Sequence, residues 1–412
     1  MANLQPVRGT HDLLPEEARR HRHVEETAFA VAQRYGYGEI VTPIFEFTEV
    51  FARTLGETSD VVSKEMYSFT DRGGESLTLR PEGTAGVARA LISGGLSQSL
   101  PLKLFYRGPM FRYERPQKGR QRQFTQIGVE LLGVEGPQAD IEVIALGAHI
   151  LKALGLWDHI TIDINSLGDQ ESRNSYRSAL ISYLSGFKDK LSADSLERLE
   201  RNPLRVLDSK DEGDKAIVKD APLLIDYLNP ASKDFFQKVQ DGLSAVGVSF
   251  NLNPRLVRGL DYYSHTAFEF ITSALGAQGT VMAGGRYDGL VGQMGGPATA
   301  GIGWAAGVER LAMLMGEMAA PARPLAVIPM GDDNAALALT QKLRHAGFSV
   351  ELGFSGNMKK RLIRANKVNA RAAIILGEDE MSHGAATVRD LDSGEQQEVP
   401  LADLEVQLAR FR

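Results

Sequence analysis

Arginines and carboxylates set along one hairpin make residues 103–130, KLFYRGPMFRYERPQKGRQRQFTQIGVE, the stretch of this chain best equipped for chemistry. The first strand-like run ends on Arg112, Tyr113 and Glu114. The second alternates, so that Phe124, Gln126, Gly128 and Glu130 share one face and Thr125, Ile127 and Val129 the other. Between them Pro116, Lys118, Gly119 and Arg120 form a turn-rich tip, with Arg115 and Arg122 adding charge at its base. Arginines on a surface loop are ordinarily just solvated. Here unlike charges, an amide and an aromatic plate occupy a sheet face that ought to bury apolar side chains. Desolvating such groups is costly, so stability alone does not explain them. The basic tip suits a polyphosphate.

The elements that must position this hairpin can be read on either side of it. Asp12 and Pro15, followed by Glu16 and Glu17, open a helix that runs to about Tyr35, with Ala18, Val24, Ala28, Val31 and Ala32 on or near its apolar stripe. The next segment, YGYGEIVTPIFEF, is extended but interrupted at Pro43, which belongs at a strand edge or a bulge and therefore at a boundary or a subunit interface. A turn at residues 71–74 leads into SLTLR, and Pro81 and Glu82 begin a helix. Glu82 falls near free backbone N–H groups, a position that also suits an acid with no other task than meeting the helix dipole. After the hairpin come a helix (QADIEVIALGAHILKALGL) and a strand (HITIDINSLG). Residues 169–249 are helical and charge-rich and read as an inserted subdomain. The sheet resumes with NLNPRLVRGLDYYSHTAFEFIT. It closes on GIGWAAGVERLAML, a glycine-rich strand feeding a helix with Arg310 in its first turn, a ready anion site.

Composition limits the possibilities. The 412 residues are 43% hydrophobic and 24% charged, enough to bury a full core over two or three domains. No apolar run is long enough to span a bilayer and MANLQPVRGTHDLLPEE lacks a signal pattern, so no membrane partner and a cytoplasmic location are expected. The chain has no cysteine, which removes disulfides, thiolate nucleophiles and cysteine-based zinc sites. The eight histidines lack paired metal-ligand spacing, and no metal site is expected from protein ligands. Gly301, Gly303 and Gly307 approach a dinucleotide fingerprint but fall outside a short βαβ unit. No Gly-Lys pair exists to make a P-loop. With a net charge of -6, any nucleic-acid partner must be held by local patches. One such patch follows the linker MAAPARP. There a strand–helix–strand–helix–strand pattern predicts a small α/β domain with parallel strands. Its second helix carries Lys359, Lys360, Arg361, Arg364, Lys367 and Arg371 without an acid, which fits a phosphate-backbone contact as well as a solvated face.

These residues also carry a resemblance. FRYERPQKGRQRQF resembles motif 2 of the class II aminoacyl-tRNA synthetases, the Pro43 segment resembles motif 1, and GIGWAAGVERL resembles motif 3. LRPEGTAG and VRGLDYYSHTAFEF are similar to the two histidine-specific signatures of the histidyl-tRNA synthetase family, and RGTHDLLP to its usual opening. The resemblance spans nearly the full length. It implies an α+β catalytic domain with a mainly antiparallel sheet flanked by helices (residues 1–168 and 250–318), a helical insertion (169–249), and a C-terminal α/β anticodon-binding domain (325–412). It implies a homodimer built through the Pro43 segment. It implies that L-histidine and ATP give histidyl-adenylate and pyrophosphate, and that the histidyl group then passes to the 3′ end of tRNA(His). By resemblance Arg112 and Arg258 grip the α-phosphate and the substrate carboxylate and are the catalytic pair. Glu114 and Phe124 hold adenine, Arg310 and Arg120 the γ-phosphate end, and Mg2+ bridges the phosphates. Glu82, Gly83, Thr84 and Gln126 surround the amino group, with Glu130 and Tyr263 at the imidazole and Tyr262 close by. Contacts to tRNA are implied by region only, at Gln117 and Lys118 of the motif 2 tip and at Lys359, Lys360 and Arg364. His265 departs from the residue the signature often carries, and touches no assigned role. A histidine-binding regulatory paralogue is the alternative of another class, but such relatives usually lack the last domain and have eroded ATP-binding arginines. A synthetase for proline or threonine is disfavoured by LDYYS.

Overall fold

The computed structural model describes residues 4–56, 61–257 and 262–411, and the chain divides into two compact units, residues 1–316 and 317–412. In the first, helix α1 (Pro15–Arg34) starts on a proline at its first turn with Glu16 and Glu17 beside it, and buries Val24, Ala28, Val31 and Ala32. Strands β1 (Gly38–Glu39) and β2 (Phe45–Phe47) follow, then helix α2 (Thr48–Leu55) and the hairpin of β3 (Tyr67–Thr70) and β4 (Ser76–Leu79). Pro43 lies between β1 and β2, in neither. β1 pairs with the large sheet and β2 with β4, so the residue without an N–H stands where the chain crosses from one sheet to another and no ladder bond is due.

Helix α3 (Thr84–Ser93) leads to the central hairpin of β5 (Leu102–Phe111) and β6 (Gln123–Leu132), paired antiparallel from Leu102↔Leu132 to Phe111↔Gln123. Gly119, at φ +73°, makes the turn at its tip, where Gln117 and Arg120 exchange backbone hydrogen bonds. Then come α4 (Gln138–Ala153), β7 (Thr161–Ser166), α5 (Gln170–Ser185), α6 (Ala193–Arg201), α7 (Glu212–Val218) and α8 (Pro230–Ala245). The buried side of α8 (Phe236, Val239, Leu243) joins the same core as α4, whereas Tyr176, Leu180 and Leu184 of α5 join a second core beneath α3. Strands β8 (Asn251–Leu252), β9 (Ser264–Ile271) and β10 (Thr280–Arg286), helix α9 (Leu290–Gln293), strand β11 (Gly301–Gly307) and helix α10 (Val308–Leu314) complete the unit. The large sheet has the order β1-β5-β6-β11-β10-β9-β7-β8. It is antiparallel except at its two edges, where β1 runs parallel to β5 and β8 to β7.

The second unit begins with β12 (Leu325–Pro329), α11 (Asp333–His345), β13 (Val350–Leu352), α12 (Met358–Lys367) and β14 (Ala372–Leu376). These three strands are parallel, as the alternating pattern predicts. Beyond them α13 (Glu378–Ser382), β15 (Ala385–Asp390), β16 (Gln396–Pro400) and α14 (Leu404–Leu408) add two antiparallel strands that the pattern does not predict. β16 buries only Val399, so it carries almost no apolar alternation to read. Among the described residues no helix is long and apolar enough to cross a membrane.

Candidate active site

The register of the sheet brings its polar residues together. Gly128 of β6 faces Tyr106 of β5, and a Cβ at Gly128 or at Gly83 would overlap the Tyr106 ring, so both glycines let that ring lie flat beneath the start of α3. Glu82, 5% exposed, accepts the N–H groups of Thr84 (2.7 Å) and Ala85 (2.8 Å), closing the first turn of α3. Burial pushes its pKa up, against the pull of those two donors. Thr84 Oγ1 donates to Glu130 Oε1 at 2.6 Å, and the Tyr287 hydroxyl donates to Glu130 Oε2. Glu130 is wholly buried, and burial raises its pKa to about 8 in spite of both hydroxyls. Beside it runs Gly303 of β11, where a Cβ would overlap the Glu130 carboxylate.

A second group gathers at the hairpin. Arg112 Nε donates to Pro81 O (2.8 Å), and its guanidinium lies 5.4 Å from the centre of the Phe124 ring. Arg120 Nη1 donates to Glu114 Oε2 at 2.8 Å. Arg310, held by the carbonyls of Gly119 and Thr280, has its pKa lowered by burial and then by Arg120. Guanidinium groups gathered in this way are complementary to a polyanionic ligand.

Both groups line one cavity of about 330 Å³, the size of a small-molecule site. Its wall contains Glu82, Thr84, Arg112, Glu114, Arg120, Phe124, Gln126, Tyr262, Tyr263 and Arg310. Gln126 Oε1 is buried and has no hydrogen-bond partner among the described residues, an acceptor left for a ligand. Glu130 contributes no surface to the wall and lies beneath the floor at Gly303, while Gly83 supports Tyr106 rather than facing the cavity. Gln117 and Lys118 are exposed at the hairpin tip. Arg258 lies outside the described residues. Its flanks are anchored, Leu256 O by the Asn165 amide (2.9 Å) and Tyr262 by burial against Tyr263 with ring centres 4.5 Å apart. In the second unit Lys359, Lys360 and Arg364 are exposed on α12, whose first turn is capped by Asn357.

A family model for histidyl-tRNA synthetase matches residues 9–311, and one for an anticodon binding domain matches residues 325–410. The chain belongs to the histidyl-tRNA synthetase family. It is 68% identical to the histidine–tRNA ligase of Rhodospirillum rubrum across all of both chains, and 60% identical to that of Gluconacetobacter diazotrophicus over 97% of each. The apo histidyl-tRNA synthetase of S. aureus has the same fold, with a TM-score of 0.84 at 35% identity over 98% of this chain and 99% of that one. Some residues of this synthetase site escape sequence reasoning. Tyr287 sits in GGRYDG, with no pattern to distinguish it from a core tyrosine. Gly301 and Gly303, which mimic a dinucleotide fingerprint, instead make room for the Tyr287 ring and the Glu130 carboxylate.

Proposed function

We propose that this synthetase works through the cavity between the arginine cluster and the paired carboxylates, condensing histidine with ATP there and then passing the histidyl group to tRNA(His). The observation that carries the assignment is a single cavity lined by Arg112, Arg120 and Arg310 and by Glu82 and Gln126, with Glu130 buried beneath its floor. The substrate ammonium is met by Glu82 and the free Gln126 oxygen, with Thr84 alongside. Its ring N–H is met by Glu130, reached across the bare floor at Gly303, with Tyr263 and Tyr262 closing the side. A ring held by buried hydrogen-bonding groups excludes apolar side chains by roughly 10⁴-fold or more, so no editing domain is needed. Attack of the histidine carboxylate on the α-phosphorus builds negative charge there, and fixed guanidinium groups stabilise it without reorganising. Arg112 serves on one side and Arg258 on the other. Glu114 and Phe124 hold adenine, and Arg120 and Arg310 hold the γ-phosphate. Magnesium, where ATP carries it, would neutralise phosphate charge.

The test is pyrophosphate exchange run with each amino acid in turn. Activity with histidine alone is expected, and its loss in Arg258→Ala with the fold intact. Near-normal exchange in that variant, or histidine binding without turnover in the unmodified chain, refutes the assignment. For tRNA, the exposed cations of α12 and the tip residues Gln117 and Lys118 meet the phosphate backbone. Neutralising Lys359, Lys360 and Arg364 together should flatten the salt dependence of tRNA charging by about two units of log–log slope.

The chain acts in the cytoplasm as a homodimer. In the three-stranded sheet β2-β4-β3 the usual alternation is inverted. Phe45, Phe47 and Phe69 face outward at 52%, 56% and 46% exposure, while Glu46, bonded to Arg89, and Thr78 face inward. Val41 and Ile44, flanking Pro43, are exposed too. An apolar face of this kind next to a chain crossing fits a self-complementary interface. Sedimentation of a Phe47→Glu/Phe69→Glu variant as a monomer would support it, and an unchanged oligomeric state would remove it.

A further inference from the structure

Glu130 is a carboxylate with no basic side chain paired to it among the described residues. The titratable groups that face it are Glu82 ahead of α3, Tyr37 ahead of β1, Tyr106 on β5, Tyr262 and Tyr263 ahead of β9, and Tyr287 after β10. Every one is an acid or a phenol. What holds the carboxylate is a pair of neutral hydroxyls, Thr84 on one oxygen and Tyr287 on the other.

Tyr287 is unusually well placed for this. It is 2% exposed, and its N–H donates to Gly301 O at 2.7 Å. Its ring fills the space left by the missing side chain of Gly301. The preceding residue, Arg286, is fully buried and spends its guanidinium on Asp140, Asp288 and the carbonyls of Val134 and Gly136. The hydroxyl therefore has one aim, set by backbone that cannot shift without breaking that network.

We propose that Tyr287 is a positioning residue for histidine selection: its hydroxyl, together with that of Thr84, fixes the Glu130 carboxyl in place beneath the floor at Gly303 as the acceptor for the substrate ring N–H. This rests on the placement of the imidazole at Glu130 made above. Burial alone drives Glu130 toward its neutral form, and the two hydroxyls oppose that. Removing one leaves the acid protonated to a higher pH, and a protonated carboxyl has lost the charge that strengthens a hydrogen bond from the ring.

The experiment follows histidine KM and kcat in pyrophosphate exchange from pH 6 to 9.5 for Tyr287→Phe, Thr84→Val, Thr84→Ser and Glu130→Gln. Tyr287→Phe and Thr84→Val should each raise the histidine KM by about tenfold at neutral pH. The acidic limb of kcat/KM should move upward by about one pH unit, high pH should recover most of the loss, and kcat should change far less. Thr84→Ser, which keeps the hydroxyl, should leave the acidic limb of kcat/KM unshifted, whatever it does to KM. If KM and kcat fall together at every pH with the limb unmoved, Tyr287 is structural only and the proposal is overturned. If Glu130→Gln binds histidine normally, the imidazole placement itself fails. A Glu130→Gln defect beside an unshifted Tyr287→Phe profile sinks the proposal alone.

Discussion

Replacing Asp140 by Asn tests how far the site depends on one buried charge pair. Asp140 stands in the first turn of α4 and Arg286 at the end of β10, and both side chains are fully buried. The guanidinium has five N–H groups. Nε and Nη2 go to the Asp140 carboxylate, Nη1 to Asp288 (3.1 Å) and Val134 O (3.0 Å), and Nη2 also to Gly136 O (3.1 Å). Breaking a buried pair from one side costs about 3–5 kcal/mol, because the remaining charge stays desolvated. Asp288 still faces Arg286 in the variant, so the lower end applies, about 3 kcal/mol. For a unit of this size that corresponds to a fall in Tm of about 4–5 °C. Both tryptophans, Trp157 and Trp304, lie in the first unit, so their fluorescence follows its melting without interference from the second. Asp140→Leu combined with Arg286→Met should recover much of the loss, since apolar replacement of a whole buried pair is often neutral or better. A fall of less than about 2 °C in Asp140→Asn, or a double variant no better than the single, would refute the reasoning.

Gly303→Ala places a methyl group against the Glu130 carboxylate and the Val129 carbonyl on the neighbouring strand. Histidine-dependent exchange should drop by about 100-fold or more in kcat/KM, and a normal histidine isotherm would contradict the floor assigned to that glycine. In the inserted helices the buried Asp214 accepts Ser192 N and the hydroxyls of Ser192, Ser195 and Ser209, the last three at 2.6 Å. Burial opposes its ionisation, but these donors outweigh it and bring the pKa from 3.8 down to about 2. A depressed acid stabilises the fold fully above its unfolded pKa and stops doing so as pH falls through the folded one. Asp214→Asn should therefore cost about 2 kcal/mol at neutral pH, with the urea midpoints of variant and parent converging near pH 2. Parallel midpoints across that range would show that the serines do not select the ionised form.

The parts of the fold that were legible are those in which one segment declares itself. The 103–130 hairpin alternates over ten residues, α1 has a proline start and a continuous stripe, and Pro43 forbids a ladder bond wherever it stands. What depends on distant segments meeting was not legible. Nothing in GGRYDG indicates that Tyr287 reaches β6. Nor does GIGW indicate that its glycines exist for a tyrosine and a carboxylate rather than a nucleotide, because that follows from the β6–β11–β10 register. The short strand β16, which buries only Val399, lacks the apolar period that would have announced it. At the site, Glu82, Glu114, Arg112, Arg120 and Arg310 line one cavity, whereas Arg258 lies outside the described residues and Glu130 lies under the floor. That depth comes from a glycine on another strand, which no spacing within 103–130 encodes.

The two neighbouring buried acids, Glu82 and Glu130, have a consequence outside catalysis. With the placement proposed above, a bound amino acid would bring a positive charge to these two acids, so occupancy would add to conformational stability in proportion to the logarithm of its concentration.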